Sequence, residues 1–141
     1  MHGRFQFKKL AKYPHMKPAD VVIWGKFLEA NPDFFDTVDY DFHVGQGADF
    51  LPTGEDTPDG RENRLYQRKI DVVGYISQSV WLVEVKPVAD MFALGQILTY
   101  NEFILQSGIF IRDPKLLVIC AKIMNEMKAV YSKFDIGVMV V

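Results

Sequence analysis

The sequence predicts an α/β domain in which helices cover both faces of a mixed sheet. Three observations predict it. Thr37 to Val44 alternates apolar with polar residues, the period of a half-buried strand. Two apolar, β-branched runs between Leu65 and Lys86 flank a small polar turn at Ser77–Ser79, a hairpin signal. Helical and strand patterns then alternate to Val141, so the whole order is helix, three strands, helix, strand, helix, strand (αβββαβαβ).

Taken in order, residues 1–17 form a basic N-terminal arm. Within it, Arg4-Phe5-Gln6-Phe7 reads equally as a short edge strand or as flexible chain. Pro18 suits a first helical turn, Asp20 favours a helix N-terminus and Asn31-Pro32 stops the run, which predicts a helix over Pro18–Ala30. Its apolar stripe is placed on Val21, Trp24, Gly25 and Leu28, with Glu29 at the margin, facing a cleft. In the strand that follows, Val38, Tyr40, Phe42 and Val44 share one face. Asp39, Asp41 and His43 share the other, read as a solvated polar face rather than a metal site.

Gly45 to Asn63 has no periodicity and leads into the hairpin; a long structureless loop of this kind is usually functional or disordered. Asp90 caps a helix running to about Gln106, with Gly108 as its terminator. A strand over Leu116–Cys120, a helix from Ala121 to about Lys133 and a terminal strand over Ile136–Val141 complete the chain. Residues 18–141 therefore make one domain.

Composition narrows the function classes. The net charge of −2 is ordinary, but the charges are segregated. Before Pro18 there are Arg4, Lys8, Lys9, Lys12 and Lys17 and no acid, whereas Asp20 to Asp59 holds ten acids against Lys26. Arg61, Arg64, Arg68 and Lys69 restore positive charge, so any attraction to phosphate is local, at the arm and at these residues. The single cysteine, Cys120, rules out an intramolecular disulfide and sits in an apolar run as a buried thiol. No apolar run reaches the roughly 18–20 residues that span a bilayer, and no signal peptide is evident; an intracellular, cytoplasmic protein is expected.

The chemistry concentrates on the hairpin. With its turn centred on Ser77–Gln78, Asp71 falls across the ladder from Glu84. Lys86, two residues on, points the same way as Glu84. Paired carboxylates suit Mg²⁺ or Mn²⁺, which polarises a phosphodiester and acidifies a bound water. An adjacent lysine positions that water or neutralises charge developing on the phosphate.

Ile70-Asp71 followed by Glu84-Val85-Lys86 resembles the signature of the PD-(D/E)XK nucleases, the restriction-endonuclease-like fold, with Ile70 in place of the proline. Gln96-Ile97-Leu98-Thr99-Tyr100 is similar to the QxxxY motif of the RecB-like branch of that family. The resemblance covers Pro18 to Val141 and implies a Mg²⁺- or Mn²⁺-dependent deoxyribonuclease acting on DNA. It implies Asp71, Glu84 and the Val85 carbonyl as metal ligands, Glu29 as the further acid of the first helix, and Lys86 as the catalytic lysine. Gln96 and Tyr100 would line the site, and Arg61, Arg64 and Arg68 would meet the DNA. His15 and His43 are candidates for the upstream histidine ligand some members use, although an ordinary surface role is the plainer reading. The lack of a cysteine cluster excludes the iron–sulfur version.

Two other functions stay open on sequence. One is a non-catalytic DNA- or protein-binding module on the same fold. The other is a structure-selective nuclease such as a junction resolvase, which would need a homodimer or a larger nucleic-acid-processing complex.

Overall fold

The structure is a computed structural model that describes residues 2–45 and 68–141. A two-residue turn organises its sheet. Ser77 takes a left-handed φ of 52°, and its N–H donates to Asp36 Oδ2 at 2.8 Å. From Ile76 opposite Ser79, strands β3 (Arg68–Ile76) and β4 (Ser79–Ala89) pair antiparallel as far as Val72 opposite Val83. One further step in that register sets Asp71 against Glu84.

On the other side of β3 lies β2 (Thr37–Val44), antiparallel, and beside it the two-residue β1 (Phe5–Gln6). The Arg4–Phe7 alternation therefore resolves as an edge strand. Beyond β4 the chain crosses through α2 (Met91–Ser107) to β5 (Lys115–Ile123), and through α3 (Lys128–Lys133) to β6 (Ile136–Val140); both strands run parallel to their inner neighbour. The result is a six-stranded mixed sheet in the order β1-β2-β3-β4-β5-β6.

Helix α1 (Pro18–Ala30) packs Ile23, Trp24, Phe27 and Leu28 onto one sheet face, against Val72, Val83, Val85, Leu117 and Ile119. Complete burial of a side chain such as Phe27 contributes about 1.5–3 kcal/mol. The opposite face is covered by Ala93, Ile97, Tyr100 and Ile104 of α2 and Tyr131 of α3, set on Leu82, Val118 and Cys120. Helix α2 begins where the Asp90 carboxylate accepts the Ala93 N–H at 2.9 Å and ends at Gly108, whose φ is 62°.

Several details depart from the sequence reading, each for a physical reason. The buried face of α1 runs through Asp20, Ile23, Trp24, Phe27 and Leu28 rather than Val21, Trp24, Gly25 and Leu28. It is turned because Trp24 and Phe27 both enter an aromatic cluster with Phe7, Phe35 and Tyr40.

Strand β2 does not keep one apolar face. Asp41 adopts a φ of 53°, which breaks the alternation: Val38 and Tyr40 join the core under α1, whereas Val44 and Phe42 belong to the core under α2. The same switch separates Val72 from Ile70 on β3.

Asp39 is not solvated. Arg4 donates to it through its backbone N–H and its Nε at 3.0 and 2.9 Å, and the Tyr75 hydroxyl donates at 2.8 Å. Burial pushes the Asp39 carboxyl up, but these bonds outweigh it and hold the group below its ordinary range. They also fasten the basic N-terminal segment to the sheet.

Finally, the helix expected from Ala121 starts at Lys128. Pairing of β5 with β4 continues to Ile123 opposite Ala89, and a 3₁₀ turn over Asn125–Met127 intervenes.

Gly74 is the tightest point of the aromatic core: a β-carbon there would drive into the Phe35 ring. Phe35 is boxed in by Phe7, Phe27, Phe34 and Trp81 and cannot step aside. Gly74→Ala is expected to destabilise by about 1–3 kcal/mol. Urea denaturation checks this; an unchanged midpoint would contradict the packing described.

Candidate active site

Where the β3–β4 ladder ends, carboxylates replace carbonyls as acceptors. The Asp71 N–H reaches Glu84 Oε1 at 3.4 Å, and the Val85 N–H donates to Asp71 Oδ2 at 3.0 Å. Glu84 is 1% exposed. Lys86 Nζ stands 3.7 Å from Glu84 Oε2. Period-two geometry puts Glu84 and Lys86 on the sheet face covered by α2. From that helix, Gln96 Nε2 donates to the Tyr100 hydroxyl at 3.3 Å, and Gln96 Oε1 is buried with no hydrogen-bond partner among the described residues.

Two carboxyls side by side out of water repel, and the titration directions follow. Burial first, then the adjacent Asp71, push Glu84 well above the usual glutamate range; Lys86 opposes this without cancelling it. Asp71 is likewise raised by burial, against the Val85 N–H and Lys86. Burial, then Glu84 and Asp71, raise the Tyr100 hydroxyl too, while Gln96 and Arg68 pull the other way. Asp71, Glu84, Lys86, Gln96 and Tyr100 thus form one electrostatic unit, with Arg68 exposed at the start of β3 beside it.

One member of this unit escaped the sequence reading. Asp20, in the first turn of α1, is 6% exposed and its carboxyl is raised by burial and by Asp71, with Lys86 and Lys17 pulling it down. Its position was readable: Asp20 stands three, four, seven and eight residues before Ile23, Trp24, Phe27 and Leu28, so it continues their stripe. Glu29, the acid expected there, is exposed in the last turn at the other end of the same helix.

His15 and His43 do not join the Asp71–Glu84 pair directly. Both approach Asp41, at 3.6 and 3.8 Å, as does Lys69 at 3.9 Å. Arg61 and Arg64 lie outside the described residues, as does the stretch from residue 46 onward for which the sequence predicts a loop.

Among the described residues, no group of three or more His, Cys, Asp or Glu side chains is arranged to hold a metal ion. Mg²⁺ commonly takes only one or two carboxylates from a protein and completes its shell with water and substrate phosphate. Asp71 and Glu84, hard oxygen donors whose mutual repulsion a cation would relieve, fit that ion; they do not make an all-protein cage.

Comparison with protein-family models, with curated proteins and with solved structures finds no match to this chain.

The raised acids bind protons more readily folded than unfolded. Their contribution to stability is therefore present below the ordinary carboxylate range and is lost as pH rises through their raised values. At neutral pH, above the ordinary carboxylate range, the metal-free protein carries the cost of two acids buried side by side. Glu84→Gln is accordingly expected to raise the melting temperature in EDTA at pH 7.5 by about 2–4 °C, on the order of 1 kcal/mol. Millimolar Mg²⁺ is expected to stabilise the wild type by mass action but not this variant. Differential scanning fluorimetry reads both effects, and equal Mg²⁺ responses from the two proteins would remove Glu84 from the site.

Proposed function

We propose that this chain is a metal-dependent nuclease that hydrolyses DNA phosphodiester bonds. The observation carrying this reading is the convergence of Asp71, Glu84 and Lys86 at the end of one hairpin, with Lys86 Nζ 3.7 Å from Glu84. Nothing in folding demands it. Isolated buried charges are costly, and folding asks only for acceptors to the Asp71 and Val85 N–H groups, which neutral side chains could supply. The hydrogen-bonded Gln96–Tyr100 pair beside them adds support, as does the PD-(D/E)XK-like and QxxxY-like spacing of the sequence.

Asp71 and Glu84 would hold Mg²⁺ or Mn²⁺, which when bound would lower the pKa of a coordinated water and polarise the phosphate. The chain's own residues do the rest. Lys86, anchored at Glu84, orients the attacking water or offsets the negative charge that grows on the phosphate oxygens. Tyr100 and Gln96, bonded to each other, line the site from α2. Asp20 closes the site from α1, where its carboxyl can accept a proton or a hydrogen bond from water. Arg68 offers positive charge to the DNA backbone at the mouth of the site.

Among the described residues no three His, Cys, Asp or Glu side chains are arranged to hold a metal ion, which favours one alternative specifically, a module of the same fold that binds DNA or a partner without cutting. Labelled DNA incubated with Mg²⁺ or Mn²⁺ separates the two. Cleavage by the wild type is expected to fall by at least about 100-fold in both Lys86→Ala and Asp71→Ala. Cleavage surviving both substitutions refutes the assignment. A wild type that binds DNA but never cuts it establishes the alternative.

A further inference from the structure

Folding explains the inner face of α2 but not its first turn. Ala93, Ile97 and Ile104 provide the buried contacts, yet Met91 and Phe92 are 73% and 68% exposed. Phe92 is not at a random place on the surface. The Lys86 ammonium, already 3.7 Å from Glu84, lies 6.0 Å from the Phe92 ring centroid. Phe92, Gln96 and Tyr100 follow at four-residue intervals, so they line one face of the helix. That line runs from solvent down to the carboxylates.

An exposed phenyl ring flanked by the cation that faces the scissile phosphate has a chemical meaning. A nucleotide presents an aromatic base on one side of its sugar and a phosphate on the other. Lys86 and Phe92 present the complementary pair. Base–aromatic stacking is strong and tolerant of sequence, since every base has a π-face. A paired base inside a duplex has both faces covered by its neighbours, so only an unpaired or extruded base can use the ring.

We propose that Phe92 stacks an unpaired nucleobase next to the scissile phosphate, which makes single-stranded or frayed DNA the substrate class. The proposal rests on the nuclease reading above for the phosphate that Lys86 would meet, although single-strand binding is read without cleavage. Phe92 is a substrate-positioning residue, separate from the groups that carry the chemistry. Met91, equally exposed one residue earlier, extends the apolar platform. The cation does not compete for the ring, because a phosphate reaching Lys86 draws the ammonium toward itself.

The test is fluorescence anisotropy with a labelled 12-mer of thymidylate and a blunt duplex of equal length, in Ca²⁺ so that cleavage does not intervene. Phe92→Ala is expected to weaken binding of the single strand by about 5- to 100-fold, Phe92→Trp to restore it, and neither to change duplex binding. Because the side chain is exposed, both variants should melt with the wild type. Equal single-strand affinity in wild type and Phe92→Ala, or an equal loss on the duplex, overturns the proposal. Cleavage assays on the same pair of substrates keep the two readings apart. Stacking without any cleavage removes the nuclease and leaves the binding site; cleavage with affinity independent of Phe92 does the reverse.

Discussion

The β3–β4 register is the constraint on which the candidate site depends. A two-residue turn at Ser77–Gln78 starts the ladder at Ile76 opposite Ser79, and every later pairing is then fixed. Slipping the register by one residue would turn Asp71 away from the face that Glu84 and Lys86 share. The turn is itself secured: the left-handed Ser77 gives its N–H to Asp36, and the Asp36 N–H bonds to the Tyr75 carbonyl. A polar network at one end of the hairpin thereby fixes a charged one at the other.

Around that register the protein accepts an electrostatic cost. Glu84 is buried beside Asp71, and the neighbouring cation Lys86 does not restore an ordinary titration. Such a place is poor for stability, and the proposed metal site would account for it, since local rules are broken where a protein builds a site. The surroundings absorb the cost through an all-apolar sheet centre: Val72, Val83, Val85, Val118 and Ile119 are fully buried.

Much of this was legible in the sequence because it rests on local signals. The bounds of α1, the Asp90 cap, the Gly108 stop and the Ser77–Gln78 turn are each dictated by a few adjacent residues. So is the opposition of Asp71 and Glu84, which needs only a turn and a count of two. Illegible parts depend on contacts between distant segments. Choosing the stripe Val21–Trp24–Gly25–Leu28 gave each apolar residue equal weight, whereas the fold ranks them by size. Trp24 and Phe27 win, and Asp20 rather than Glu29 goes with them. Asp39 gave no sign of burial because its partner, Arg4, is 35 residues away. Strand β5 outran its expected end because pairing with β4 overrides the helical spacing of Ile123, Met124 and Met127.

The left-handed Asp41 bears on more than β2. A position in the middle of an unbroken sheet is seen by one helical layer only, the layer its side chain faces. At Asp41 and Asp71 the two strands exchange which face they give to which core, so the sheet has a seam there, and the seam is where the carboxylates sit. Asp20 reaches the electrostatic unit from the α1 layer, and Gln96 and Tyr100 from the α2 layer. The two hydrophobic cores, otherwise separated by the thickness of the sheet, thus share a boundary at the candidate site. Repacking either core would be felt at the same carboxylates, which makes their titration a common readout for both.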